Sequence, residues 1–217
     1  MKHNLYLFAI FSIFIINNTF AEDIEEITVT GSYIGSKSEK ISVEVIDETE
    51  FNNLNISSIG EISKYLASSS GSHFQSNTLD GVDQGMSAIT LRGMDHASTL
   101  VLINKKRQTH AGTPSHEGEG YIDVNIIPEI ALNRVEILKE GATSLYGSDA
   151  VAGVINFITH DDFEGLKFSL SQQKTTNYDQ KDEVLGFIYG KRFTNSNLVV
   201  AANVIKRSAL PSIEIPR

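Results

Sequence analysis

The sequence contains no cysteine, so it cannot form a disulfide bond, a metal site with thiolate ligands or a lipid-modified cysteine. Basic residues are also scarce, with 18 lysines and arginines against 27 aspartates and glutamates, and this balance argues against nucleic-acid binding. The motifs G-x-S-x-G, H-E-x-x-H and the P-loop are missing as well. The sequence therefore predicts neither an enzyme nor a protein with a cofactor.

Residues 1–21 have the features of a secretory signal peptide. Lys2 precedes the twelve-residue apolar run from Leu5 to Ile16, which is too short to cross a bilayer comfortably. Small residues then precede a cleavage position before Glu22. A buried N-terminal helix is the alternative interpretation. No later stretch approaches the roughly 20 apolar residues of a membrane helix, so we expect an exported chain without a helical anchor.

Residues 22–40 are acidic and then rich in glycine, serine and lysine, which predicts a flexible tail. Within this tail, residues 26–30 alternate between apolar and threonine side chains and could form a short strand. Residues 41–46 alternate in the same way and are expected to form the first strand of the folded part.

Residues 58–66 carry apolar side chains at the spacing of one helix face. Ser58 and Glu61 fit the S-x-x-E capping box, in which each side chain accepts a hydrogen bond from the other residue's main chain. Strand-like runs follow at residues 88–91 and 99–103. These patterns predict a helix from 58 to 66 and two further strands.

Residues 133–159 contain two strand-like apolar runs, at 135–138 and 154–158, joined by a connection rich in glycine. Pro128 stands where a short helix can begin, extending to Leu132. Short helices mixed with short strands predict an α+β domain.

The pattern changes at Phe163. From there to the C-terminus, apolar and polar residues alternate in runs of about ten, separated by polar turns. This alternation is typical of the strands of a membrane β-barrel. A soluble antiparallel sheet fits these residues equally well.

Four separated motifs give the chain a family resemblance. They are ITLRG at 89–93, TLVLIN at 99–104, DVNIIP at 123–128 and NRVEILKEGATSLYGSDAVAGVINFIT at 133–159. In this order they closely resemble the plug domain of TonB-dependent outer-membrane receptors. The family usually has glycine after the Asn104 position, and Lys105 replaces it here, which leaves the geometry of that hairpin turn open.

The resemblance implies four segments: a signal peptide at 1–21, a flexible tail at 22–40, a plug domain at 41–162 and the first strands of a β-barrel at 163–217. It implies an α+β plug with a small mixed sheet and short helices. A barrel of about 22 strands needs on the order of 220 strand residues, and this last segment has room for about three strands. We therefore expect an N-terminal fragment of such a receptor, the product of a truncated reading frame, or one piece of a split gene. Its expected location is the outer membrane, or the periplasm if the shortened chain does not insert.

The resemblance also implies two partners. An energy-transducing protein of the TonB type would pair with the tail by adding a strand, through a TonB box formed by Glu26, Ile27, Thr28, Val29 and Thr30. A small-molecule ligand would bind at the loop tips, where the candidate contacts are Asp95, His96, His110, His116 and Tyr121. Imidazole and carboxylate groups suit a metal chelate, whereas their loose spacing matches no closed metal site and equally fits solvated loop residues.

The resemblance further implies structural or gate residues in the motifs, namely Arg92, Gly93, Arg134, Glu136, Gly141, Tyr146 and Gly147. The two arginines lie among apolar residues, where a cation needs a partner. Glu136, Glu140 and Asp149 are the candidate partners, and ordinary exposed charges are the alternative.

The chain is thus expected to be the plug portion of a receptor that gates energised import of a scarce ligand, such as a metal chelate or an oligosaccharide. The alternatives are a free periplasmic binding module without a barrel and a secreted adhesive β protein. The identity of the ligand stays open, because specificity lies largely in barrel loops.

Overall fold

The computed structural model describes residues 43–54, 56, 58–72, 85–115, 118–139, 142–174 and 180–208. The predicted signal peptide and the predicted TonB box at 26–30 lie outside the described residues, as do His116, Glu140 and Gly141. No helix in the described ranges is long and apolar enough to cross a membrane.

The first half of the described chain forms a five-stranded mixed sheet. Its strands are β1 (Val43–Asp47), β2 (Thr99–Ile103), β3 (Lys106–Arg107), β4 (Leu132–Leu138) and β5 (Gly153–Thr159). Their order is β1-β4-β5-β2-β3, with β2 and β5 parallel and the other neighbours antiparallel. The predicted strands at 99–103, 135–138 and 154–158 are therefore confirmed, and so is the strand predicted at 41–46 from Val43 onward, since residues 41 and 42 lie outside the described residues.

Two short α-helices accompany this sheet, α1 (Glu48–Leu54) and α2 (Thr143–Tyr146). Five 3₁₀ turns complete the helical structure of the described residues, at Ile59–Lys64, His96–Ser98, Val124–Ile126, Glu129–Ala131 and Ser148–Ala150. The short helix predicted after Pro128 is the fourth of these turns. The small mixed sheet and these short helices confirm the predicted α+β class.

Two predictions of local structure were wrong. The helix expected at 58–66 is a 3₁₀ turn without the capping box, because the Glu61 N–H bonds to the main-chain carbonyl of Ser58 at 3.0 Å and the Ser58 side chain does not cap. The strand expected at 88–91 is not part of either sheet: Ala88 and Leu91 are isolated bridge residues, and Leu91 pairs with Ser69. Side chains of Ser69 and Ser72 hold the main chain of Thr90 there instead.

The mixed sheet buries both faces. Alternate residues of its three central strands point into the main core on one face, namely Val101, Val135, Ile137, Ile155 and Phe157. The residues between them form a smaller cluster on the other face, covered by Ala142 and Ala150 from the connection that contains α2. Continuous apolar runs in these strands follow from this two-sided burial.

The second half of the described chain forms a separate antiparallel sheet of three strands, β6 (Gly165–Lys174), β7 (Lys181–Arg192) and β8 (Asn197–Arg207). Its outer face is apolar and exposed, with Phe168 67% and Leu170 80% accessible. On its inner face, Val184 and Ile188 are buried. The predicted antiparallel strands after residue 163 are therefore confirmed.

The mixed sheet's domain rests against the inner face of β7 where two glycines leave space. A Cβ atom at Gly186 would lie 2.5 Å from the Ser169 hydroxyl, which can rotate away, and 3.4 Å from Cβ of Ile130, which belongs to the 3₁₀ turn at 129–131. A Cβ atom at Gly190 would overlap the main-chain carbonyl of Phe163, in the segment that links the two sheets. The absence of these two side chains lets the domains approach closely.

This geometry predicts unequal effects of two alanine substitutions. Gly190→Ala should lower the free energy of unfolding by about 2–4 kcal/mol, because a backbone carbonyl cannot yield as a side chain can. Gly186→Ala is the matched control on the same strand face, and we expect a loss of about 1 kcal/mol or less. Urea unfolding of the chain in detergent micelles measures both values. Equal losses would contradict the close approach at Phe163.

Candidate functional site

The predicted ligand-contact residues lie on two neighbouring loops of the mixed-sheet domain. Asp95 and His96 belong to the turn before β2, and His110 and Tyr121 lie near the two ends of the loop after β3. The His96 N–H donates to a carboxylate oxygen of Glu119 at 3.3 Å, which ties the two loops together.

Glu119 itself is held by Ser115. The Ser115 N–H donates to the Glu119 carbonyl at 2.9 Å, and the Glu119 N–H donates to the Ser115 hydroxyl at 3.2 Å. Ser115 is buried although its neighbours in the loop are exposed. Sequence reasoning missed this pair, since a serine in a polar glycine-rich loop gives no signal of burial.

The candidate ligand contacts differ in exposure. Asp95 and His110 are exposed, whereas Tyr121 is buried in a small cluster with Met86 and Ala88. The Tyr121 carbonyl also accepts from the Ala111 N–H at 2.9 Å, so this tyrosine anchors the loop. Among the described residues, no group of three or more histidine, cysteine or acidic side chains is arranged to hold a metal ion. The ligand-contact role of these residues stays a prediction.

The two candidate gate arginines have different surroundings. Arg134 Nε lies 2.9 Å from Glu136 Oε1, and Glu136 is fully buried. Arg92 is exposed, and its main chain turns with φ of 60° while its N–H donates to the Ser68 carbonyl at 2.7 Å. Within the described ranges no salt bridge involves the Arg92 side chain. Among the described residues, Arg134 lies beside one of the carboxylates predicted as partners, whereas Arg92 does not; Glu140 lies outside them.

Asp149, the other described candidate partner, pairs instead with Arg107 of β3. The Arg107 guanidinium donates to both carboxylate oxygens of Asp149 and to the Tyr146 carbonyl. This hydrogen bonding lowers the pKa of Asp149 and raises the pKa of Arg107. These hydrogen bonds of Arg107 hold the connection that contains Tyr146 and Gly147 against the β2–β3 hairpin. Sequence reasoning missed Arg107, because 42 positions separate it from Asp149.

The β2–β3 turn keeps the hairpin geometry despite the lysine at its second position. Asn104 and Lys105 have φ of 50° and 65°, the left-handed pair of a two-residue hairpin turn. The Asn104 side chain donates to the Thr159 hydroxyl and accepts from the Thr159 N–H, both at 2.9 Å. The Lys105 N–H donates to the Asn156 side chain at 3.0 Å. These bonds from β5 hold Lys105 in a conformation that glycine adopts more easily.

Lys105→Gly should therefore stabilise the chain. Glycine removes the strain of a lysine with positive φ, and this effect outweighs the larger conformational entropy that glycine gives the unfolded chain. We expect the free energy of unfolding to rise by about 0.5–1 kcal/mol. Lys106→Gly is the matched control, because Lys106 is an exposed strand residue without positive φ, and it should destabilise the chain. The urea concentrations at which the two variants are half unfolded measure these changes. A loss of stability in both variants would refute the claim that Lys105 is strained in this turn.

Comparison with known proteins places this arrangement in a family. Residues 36–154 match the model of the TonB-dependent Receptor Plug Domain. The chain belongs to the TonB-dependent receptor plug family. The mixed-sheet domain is thus a plug domain, and the three-stranded sheet after it is the start of a barrel wall.

Relatives of known structure share this fold. A mutant of the ferric enterobactin receptor PfeA from Pseudomonas aeruginosa, in complex with enterobactin, superposes with a TM-score of 0.59 at 22% identity, covering 78% of this chain and 25% of that receptor. The siderophore receptor PirA from Acinetobacter baumannii gives a TM-score of 0.56 at 25% identity, covering 77% and 25%. The ferric citrate transporter FecA in its unliganded form gives 0.60 at 15% identity, covering 77% and 25%.

A curated relative is similar over a shorter range. The iron-regulated outer membrane virulence protein of Vibrio cholerae serotype O1 is 43% identical over 75 residues, which are 34% of this chain and 12% of that protein. The matched part of the chain thus spans about a quarter of each solved receptor and about an eighth of this relative.

A polar contact joins the plug domain to the first wall strand. Lys167 Nζ in β6 lies 2.7 Å from Glu48 Oε1 in α1, and the other oxygen of Glu48 lies 3.5 Å from Nε2 of His160. Sequence reasoning missed this contact, because 119 positions separate Glu48 from Lys167 and both read as ordinary surface charges.

A cavity of about 120 Å³ lies beside this contact, between the plug domain and β6. Glu129 lines it from the plug, and Lys167, Ser169 and Ser171 line it from the wall. Oε1 of Glu129 is shielded from solvent and has no hydrogen-bond partner among the described residues. Burial, and then the carboxylate of Glu61, raise the pKa of Glu129 from 4.5 to about 7.

Glu129 therefore makes stability depend on pH. Its pKa is higher in the folded chain than in the unfolded chain, so the folded state binds the proton more tightly, and stability falls as pH rises from about 4.5 to about 7. The total loss is on the order of 3 kcal/mol. Glu129→Gln should remove most of this loss, giving a more stable chain at pH 8 and little change at pH 4.

Urea unfolding at pH 4 and pH 8 measures this difference. Glu50→Gln is the matched control, since Glu50 is exposed on the neighbouring α1, and we expect equal effects at the two pH values. A Glu129→Gln variant with the same pH profile as the parent chain would show that the carboxyl group is not held away from water.

Proposed function

We propose that the chain is the plug portion of a TonB-dependent receptor, which gates energised import of an iron chelate across the outer membrane. One observation carries this proposal: the plug domain is seated on the inner face of a sheet whose outer face is apolar and exposed. Such a two-sided sheet fits a barrel wall with lipid outside and a stopper inside.

The proposal divides the chain into four parts. Residues 1–21 direct export and are removed, residues 22–40 form the tail that a TonB-type protein grips, residues 41–162 form the plug, and residues 163–217 begin the wall. The Phe163 junction is supported by its position between β5 and β6, where the chain leaves the mixed sheet. The outer membrane is the proposed location.

An iron chelate is the proposed ligand class. The relatives whose fold matches are receptors for ferric enterobactin, other siderophores and ferric citrate, and the curated relative is regulated by iron. On this chain the proposed contacts are the exposed Asp95 and His110 together with His96 and His116. The plug loops would supply a few polar contacts to the chelate, and the barrel wall would supply the rest.

Energised gating requires a segment that can be pulled from the periplasmic side. Residues 26–30 alternate as a strand does, and an added strand is held by main-chain hydrogen bonds whatever its side chains are. Proline removes a main-chain donor and fixes φ. Substitution by proline in this segment therefore tests the grip without changing the plug.

Successive residues of a strand direct their main-chain N–H groups to opposite edges, so the neighbouring variants Thr28→Pro and Val29→Pro test both edges. We expect at least one of them to weaken binding of the periplasmic domain of a TonB-type protein by about tenfold or more, the effect of losing about 1.4 kcal/mol. Calorimetric titration of the chain in detergent micelles measures the affinity. Ser38→Pro is the control in the same tail, outside the proposed box, and should bind as the parent chain does. Unchanged binding by both box variants would refute the proposed grip.

A further inference from the structure

A continuous series of polar contacts begins at the β2–β3 turn and runs through the plug sheet. The Lys105 N–H donates to Asn156 Oδ1 at 3.0 Å, and Asn156 Nδ2 donates to Glu136 Oε2 at 3.2 Å. The other oxygen of Glu136 accepts from Arg134 Nε at 2.9 Å. Asn156 and Glu136 are buried, so water cannot replace these bonds when they break.

The series continues from Arg134 to the wall. Arg134 Nη1 donates to Asn133 Oδ1 at 3.4 Å, and Asn133 Nδ2 lies 3.3 Å from Nδ1 of His160. His160 Nε2 lies 3.5 Å from Glu48, and Glu48 accepts from Lys167 Nζ at 2.7 Å. The series therefore connects the hairpin turn of the plug with the first wall strand.

The imidazole of His160 has a polar neighbour at each ring nitrogen. Asn133 Nδ2 can only donate a hydrogen bond, so Nδ1 of His160 is the acceptor in that contact. Nε2, on the other side of the ring, faces the Glu48 carboxylate at 3.5 Å. His160 therefore lies between Asn133 and Glu48.

We propose that these residues act as one linkage, which couples the position of β4 in the plug to the first wall strand. Each interior member contacts the next on both sides, so a displacement of one member breaks a polar contact of each neighbour. The contacts at 3.4 and 3.5 Å are the longest, on either side of Asn133 and His160, and the linkage opens there first. The linkage requires neither ligand nor TonB-type partner, and so its test is separate from that of the import function.

A double-mutant cycle tests the linkage at two members that do not touch each other, Glu136 and Lys167. The readout is hydrogen exchange of the β4 amides, measured by mass spectrometry on the whole chain in detergent micelles. Glu136→Gln and Lys167→Met should each accelerate exchange, by roughly fivefold. If the two effects were independent, their accelerations would multiply in the double variant. We expect the double variant to exchange much more slowly than that product, because either change alone already opens the linkage.

Lys174→Met is the matched control, since Lys174 is exposed at the far end of β6, and it should leave the β4 amides unchanged. If Glu136→Gln does not fold, Asn133→Ala replaces it in the cycle with the same expectation. Two results would overturn the linkage: multiplication of the two effects, or acceleration by Lys167→Met that is confined to β6.

Discussion

The fit of the plug against β7 is the constraint on which the rest of the structure depends. Ile130 enters the space beside Gly186, and the Phe163 carbonyl occupies the space that a side chain at Gly190 would need. This close approach fixes where the chain leaves the mixed sheet, and it places β6 so that Lys167 reaches Glu48. The apolar outer face of the three strands then points away from the plug, as a wall in lipid requires.

The plug combines a firm apolar interior with polar contacts at its boundary. Both faces of its sheet bury apolar residues, which stabilise it as a unit. At the wall, by contrast, two polar features lie beside a cavity: a charged contact at Glu48, and a carboxyl oxygen of Glu129 that has no hydrogen-bond partner among the described residues. A boundary of this kind costs less to open than an apolar core, which suits the proposed gating role, in which the plug moves while staying folded.

Local pattern predicted most of the fold, but it missed one local choice of main-chain turn and the contacts between residues distant in sequence. The continuous apolar runs at 99–103, 135–138 and 154–158 correctly predicted their strands, because a strand that is buried on both faces is apolar at successive positions. Ser58 and Glu61 suggested a capped helix, yet the main chain closed a 3₁₀ turn instead. No local pattern indicated the pair of Arg107 with Asp149 or the pair of Glu48 with Lys167, because each joins residues far apart in the chain.

Because the chain has no cysteine of its own, cross-linking of two introduced cysteines directly tests whether the plug contacts β7 as described. In a chain carrying Ile130→Cys and Gly186→Cys, the two Cβ positions are 3.4 Å apart, close to the separation in a disulfide. Oxidation in detergent micelles should cross-link them rapidly and completely, while Ile130→Cys with Leu185→Cys, on the opposite strand face, should stay reduced. A first pair that remains reduced, or equal cross-linking of both pairs, would contradict the seating of the plug on the wall.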